Sequence, residues 1–294
     1  MKKAVLTILL ILTLGCELTP AQTLSEARAR SVGGKYVEPR KDELATAEKL
    51  FVLIFSPNRK LTEVSDLARK IGLEVVPVRE RSEELLIARE LENEKRGRGM
   101  YVFRTNNASQ QVVEAPHSSD DAHTGLLAEL LFLESRAAAA AWNTVPRDQS
   151  IEGGKGEADL AHLSESYFVA FTRAFASACP GGVLIQLHGF APSERKSEAG
   201  ARSDAILSSG TESPPGWITK TAERLKADCG GRFSVYPTDV RELGATTNSQ
   251  MKALKSVKHS GFLHVETCLD LRKRLKSNTE LRKAFWRSLP EKQP

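Results

Sequence analysis

An α/β fold, built on a mostly parallel open sheet with helices on both faces, is predicted by three features of this 294-residue sequence. Short, wholly apolar runs recur, such as LFVLIF at 50–55, and they alternate with stretches of helical spacing. Runs that are apolar at every position suit strands buried on both faces, as in parallel sheets. The composition is balanced as well, with 40% hydrophobic and 27% charged residues, 20 Gly and 13 Pro, which excludes disordered, collagen-like and coiled-coil chains.

From the N-terminus, Lys2 and Lys3 precede an apolar run from Ala4 to Leu14, the pattern of an export signal and too short to span a bilayer comfortably. Gly15-Cys16 follows, as at a bacterial lipoprotein cleavage site; ordinary cleavage near Ala21 is the competing reading. The expected organisation is therefore a lipoprotein-type signal peptide at 1–16, a polar tether at 17–45 and a single α/β domain at 46–294. Within that domain the pattern predicts a strand at 50–55, a helix at 61–71, a strand at 73–78 and a charged helix at 82–95. Strands at 100–104 and 111–115 and a helix at 124–134 come next. The Ala-rich stretch 137–141 favours helix by propensity, but the alternating rhythm favours a strand ending at Asn143. A loop at 153–157 leads to a helix at 163–178 with Ser164 as N-cap, then a strand at 183–187. The polar stretch 191–203 reads as a loop, followed by a strand at 205–208, a helix at 217–227 and strands at 233–236 and 261–266. Basic helices at 269–276 and 281–289 close the chain.

Charge and cysteine usage limit the function classes. The 42 Lys plus Arg exceed the 37 Asp plus Glu by five, two of them in the leader, and no basic stripe interleaved with aromatics occurs, so nucleic acid is not an expected partner. Cys179, Cys229 and Cys268 remain if Cys16 is lipidated or removed; Cys179 and Cys229 are a candidate disulfide pair in an exported chain. No Cys-x-x-Cys, Gly-x-Ser-x-Gly or Walker-type loop occurs, which argues against a thiolate zinc knuckle, a serine hydrolase and a nucleotide-phosphate site.

In an open parallel sheet, ligands bind beyond the carboxyl ends of the strands. His117 follows the 111–115 strand, His188 follows VLIQL, and Glu266 ends GFLHVE on the same strand face as His264. Asp120 and Asp121 lie three and four residues after His117. Two imidazoles and a carboxylate are the donor set of a mononuclear zinc hydrolase. His117, His188 and one of Asp120 or Asp121 are thus candidate zinc ligands. Glu266 is the candidate general base, the second carboxylate such chemistry needs to carry a proton to a leaving amine.

The segments PHSSDDAHTG, VLIQLHGF and FLHVET together resemble the carboxypeptidase-like zinc hydrolases, in particular bacterial and phage proteins related to poly-γ-glutamate hydrolase. The resemblance spans about residues 100–280 and leaves 46–104 unmatched. It implies His117 and His188 as ligands and Glu266 as base. The sequence departs from that family at the acid, with Asp in place of Glu: Asp120 keeps the family spacing and Asp121 adds one residue. The likeness further implies that Arg147 binds a substrate carboxylate, a task suited to a two-point guanidinium contact, or polarises the scissile carbonyl. His162 and His123 are candidate pocket residues. The segment 193–202 is a candidate lid beside His188, with a plain solvated loop as the alternative.

The implied activity is an exported, zinc-dependent amidohydrolase or peptidase acting on a glutamate-containing peptide or polymer, with a membrane partner only through its lipid anchor. Two alternatives stay open. An N-acetylmuramoyl-L-alanine amidase would use similar ligands, although the segment after His117 lacks the glycine-rich start of those enzymes. A non-catalytic envelope lipoprotein could keep the same fold.

Overall fold

The structure, a computed structural model, describes residues 23–293, so the predicted signal peptide and Cys16 lie outside the described residues. Its frame is a nine-stranded sheet in the order β1-β2-β3-β5-β4-β6-β9-β7-β8. The central strands β5 (Ala139–Trp142), β4 (Gln111–Ala115), β6 (Val183–Phe190) and β9 (Phe262–Cys268) are mutually parallel. An antiparallel meander of β1 (Leu73–Glu80), β2 (Glu83–Glu90) and β3 (Met100–Arg104) joins on the β5 side. On the other side β7 (Ala205–Ser208) runs antiparallel to β9 and carries β8 (Phe233–Val235) parallel to itself. The α/β architecture is the expected one, with the parallel strands at its centre and antiparallel additions at both edges.

Helices cover both faces, each over its own apolar cluster. One face packs α1 (Leu24–Ser31), α4 (Thr124–Glu134), α7 (Gly216–Cys229), α9 (Leu269–Ser277) and α10 (Thr279–Ser288) through residues such as Leu131, Leu225, Leu271 and Phe285. The other packs α2 (Lys41–Phe55), α3 (Leu61–Lys70), α5 (Tyr167–Ala178) and α8 (Ser249–Ser256) through Phe51, Leu67, Phe171 and Leu254. Between β6 and β7 lie a 3₁₀ turn at Pro192–Glu194 and the one-turn helix α6 (Glu198–Ala201).

Several expectations are corrected. The 50–55 run is the last part of helix α2, not a strand: Ala47, Leu50, Phe51 and Ile54 are buried at helical spacing, and Glu43 accepts from the Arg40 amide at the helix start. Phe51 packs against Tyr101 and Phe171 at ring separations of 4.6 and 5.7 Å. The charged segment at 82–95 is not a helix. Its Leu85–Ala88 portion is buried as β2 between β1 and β3, joined to β1 through Arg81 in a left-handed conformation (φ 57°). Of the stretch 17–45 expected as a tether, the part from Leu24 onward is folded: Thr23 and Glu26 form a capping box for α1, whose Leu24 and Ala27 are fully buried. Helix α5 is capped by Ser166 rather than Ser164, and α8 was not anticipated. Residues 46–104, which matched no motif, extend the sheet and cover one of its faces. Cys179, Cys229 and Cys268 are buried free thiols, so the candidate disulfide is not formed. Among the described residues no helix is long and apolar enough to cross a membrane.

Candidate metal centre

Cross-strand register lays out the centre row by row. Because β4, β6 and β9 are parallel and adjacent, Val112, Leu184 and Phe262 form one row on a common face, and Glu114, Gln186 and His264 form the next. A third row pairs His188 with Glu266. Side chains two apart share a face, so this face changes from apolar to polar to ionisable toward the carboxyl ends. His117 reaches the same place from the turn after β4, where the amides of Asp120 and Asp121 both donate to the His117 carbonyl and curl the chain back on itself.

That turn separates the two aspartates. Asp121 Oδ2 accepts from the Gly189 amide at 2.9 Å and lies 3.4 Å from His117 Nδ1 and 3.7 Å from His188 Nδ1. The two imidazole Nδ1 atoms are 3.1 Å apart. Asp120 is exposed and accepts from the Arg147 amide and the Ser119 hydroxyl instead. Donors about 2.0–2.2 Å from a tetrahedral zinc lie roughly 3.3–3.6 Å from one another. The triangle of His117, Asp121 and His188 therefore has nearly the edges of one coordination face, and its donor chemistry suits that ion.

Each ring is backed by an acceptor that leaves Nδ1 turned inward. His117 Nε2 meets Asp159 Oδ1 at 2.9 Å, and His188 Nε2 meets Gln186 Oε1 at 3.0 Å. A carboxylate or amide oxygen behind a ligating imidazole fixes its tautomer and raises its basicity. Asp159 is itself tied to Arg147 Nη2 at 2.8 Å. Burial opposes charge on His117, but hydrogen bonds to Asp121 and Asp159 outweigh it and lift the ring's pKa to about 9. His188 is held neutral, well below its usual range, by burial and the neighbouring imidazoles. Arg147 Nη1 also lies 3.1 Å from His117 Nδ1. An arginine only donates, so that contact and a protonated Nδ1 exclude each other. Either the arginine donates to a bare Nδ1 or His117 carries that proton itself, with Asp121 beside Nδ1 and Asp159 beside Nε2.

Glu266 completes the cluster. It is 7% exposed, its Oε1 lies 3.6 Å from His264 Nε2, and its Oε2 is buried without a hydrogen-bond partner. Burial, then the charge of Asp121, pushes its carboxyl up to about 8. His264 is kept neutral by burial, its pKa lowered to about 3. These groups line a cleft of about 490 Å³. Half-exposed Arg147 and exposed His162 stand at its mouth, with His162 Nδ1 3.5 Å from Thr247 Oγ1. His123 caps α4 and does not line the cleft. The 193–202 segment contributes Glu194 and Arg195 to the wall and is fastened by Glu242, which accepts from the Lys196 and Ser197 amides.

Sequence reasoning missed Asp159 and Gln186. Asp159 sits in the loop GEADLAH with no strand to mark it, whereas Gln186, two residues before His188 on one strand, carried a signal in its spacing.

No known protein family and no curated protein matches the chain. Among solved structures it is similar to N-formylglutamate amidohydrolase from Ralstonia eutropha JMP134, with 14% identity and a TM-score of 0.45 over 65% of this chain and 96% of that one. It is also similar to an aspartoacylase family protein from Mesorhizobium loti, with 13% identity and a TM-score of 0.39 over 73% of this chain and 66% of that one. A provisionally assigned carboxypeptidase from Burkholderia mallei aligns at 12% identity and a TM-score of 0.42, over 74% of this chain and 62% of that one. Likeness at this level bears on neither activity nor substrate.

Proposed function

We propose that this protein is a zinc-dependent hydrolase of C–N bonds that cleaves an amide next to a carboxylate, on a glutamate-containing peptide or polymer. The observation that carries the reading is the convergence of His117 Nδ1, Asp121 Oδ2 and His188 Nδ1 on one point, with separations of 3.1, 3.4 and 3.7 Å, beside a buried carboxylate. These three residues would hold the ion. Zinc, when bound, lowers the pKa of a water and polarises a carbonyl.

The chain's own residues supply the rest. Glu266 Oε2, without a protein partner, takes a proton from the attacking water and delivers it to the leaving nitrogen as the C–N bond breaks. Burial, and then the charge of Asp121, keeps Glu266 protonated; an ion held by Asp121 would offset the second of these and favour the basic form of Glu266. Arg147, at the mouth and tethered through Asp159, is the group to receive the substrate carboxylate. His162 stands beside it as a second polar contact.

We further propose export and lipid anchoring at Cys16, as the N-terminal pattern suggests; Cys16→Ser should then move the protein from the membrane to the soluble fraction, and retention in the membrane would argue against that anchor. The activity is tested by incubating zinc-loaded protein with N-acyl-glutamates and γ-glutamyl peptides and measuring amine release. Hydrolysis should cease with a chelator and return with zinc. Folded, zinc-loaded protein inert toward both substrate types would overturn the catalytic reading.

A further inference from the structure

Beneath His188 lies a buried polar network that the proposed chemistry does not itself use. Gln186 is fully buried and all its amide contacts are filled. Its Oε1 faces His188 Nε2 at 3.0 Å and accepts from Asn248 Nδ2 at 2.6 Å. Its Nε2 donates to Glu114 Oε2 at 2.9 Å and to Gln250 Oε1 at 3.1 Å. The outer partners are fixed in turn: Asn248 Oδ1 caps α8 by accepting from the Met251 amide, and Gln250 Nε2 donates to the Leu160 carbonyl.

This set of partners admits one orientation of the Gln186 amide. Turned over, its NH₂ would face the Asn248 NH₂, and its oxygen would face the oxygens of Glu114 and Gln250. Buried polar groups left without partners typically cost about 1–3 kcal/mol each, so the turned amide is strongly disfavoured. With Oε1 fixed toward His188, the ring must offer a proton from Nε2, which leaves the lone pair on Nδ1.

We propose that Gln186 is a positioning residue which, clamped by Glu114, Gln250 and Asn248, holds His188 in its Nε2–H tautomer and thereby presents Nδ1 to the three-ligand centre. The proposal rests on the reading of that centre as a metal site, and its test separates the two. In the metal-free full chain, two-bond ¹H–¹⁵N correlation spectra distinguish protonated from bare ring nitrogens. His188 should show a protonated Nε2 and a bare Nδ1. Gln186→Met, similar in size but without the acceptor, should show mixed tautomers and bind zinc about 10–100-fold more weakly by chelator competition, the usual scale for losing such a partner.

A wild-type ring protonated at Nδ1, or a Gln186→Met protein with unchanged tautomer and affinity, would overturn the proposal. The wild-type spectrum needs no variant, so the test survives if Gln186→Met fails to fold. A wild-type protein that holds the Nε2–H tautomer but binds no zinc would overturn the metal reading alone.

Discussion

Glu114→Gln should remove a pH dependence of stability built into the centre of the sheet. Glu114 is fully buried on β4, and burial pushes its carboxyl from 4.5 up to about 8. The hydrogen bonds agree with a neutral acid: the Thr172 hydroxyl has one proton but two acceptors in reach, Phe168 O at 2.9 Å and Glu114 Oε1 at 3.1 Å. A protonated Glu114 resolves this by donating to Thr172 while its other oxygen accepts from Gln186. The unfolded chain gives up the proton near pH 4.5 and the folded chain only near pH 8, so the native state binds more protons between them and stability falls as pH rises through that window. At about 1.4 kcal/mol per pKa unit, the full loss is on the order of 5 kcal/mol. Glutamine reproduces the neutral acid and cannot ionise. Urea denaturation of both proteins across pH 4.5 to 8 should give nearly equal stabilities at the acid end and a variant several kcal/mol more stable at the alkaline end. Glu90, raised to about 7, and Glu266, raised to about 8, slope the same way but cancel in the comparison. Parallel curves, or a variant less stable at pH 8, would mean that Glu114 is ionised in the fold, and would refute the reasoning.

Other perturbations address the site and the packing separately. Glu266→Gln should retain zinc while amide hydrolysis falls about 10²–10⁴-fold, as loss of a general base does; unchanged turnover would place the base elsewhere. Asp121→Asn should abolish tight zinc binding, whereas Asp120→Asn should bind it as wild type, since only Asp121 faces the two imidazoles; titration calorimetry giving the opposite order would exchange their roles. Phe51→Ala should destabilise the fold by about 3–5 kcal/mol in denaturant titrations, because its ring is fully buried against Tyr101 and Phe171. A loss under about 1 kcal/mol would contradict the packing of α2, since partial collapse rarely spares a large aromatic so completely.

The parallel centre of the sheet was legible in the sequence because its strands are mostly apolar on both faces and turn polar toward their carboxyl ends. Val183–Leu187 and Phe262–Glu266 obey that rule, and they carry His188 and Glu266. The meander was not legible. EELLIARE has the charge and propensity of a helix, yet pairing with β1 along its length and with β3 over Leu85–Ala88 overrides propensity that is worth only tenths of a kcal/mol per residue. LFVLIF misled in the opposite direction, since an apolar run reads as a strand unless its helical N-terminal half, KDELATAEK, is read with it. The choice between Asp120 and Asp121 depended on how tightly the chain turns after His117, and spacing alone does not carry that information. Asp159 lies 42 positions from the ring it backs, so only the fold brings the two together.

The most direct test of the metal centre is an anomalous difference map, recorded at the zinc edge, from crystals grown with zinc. The expected result is a peak about 2 Å from His117 Nδ1, Asp121 Oδ2 and His188 Nδ1, with Glu266 alongside and outside the ligand set. A peak held instead by His264 and Glu266, or none between the two imidazoles of a folded chain, would contradict it.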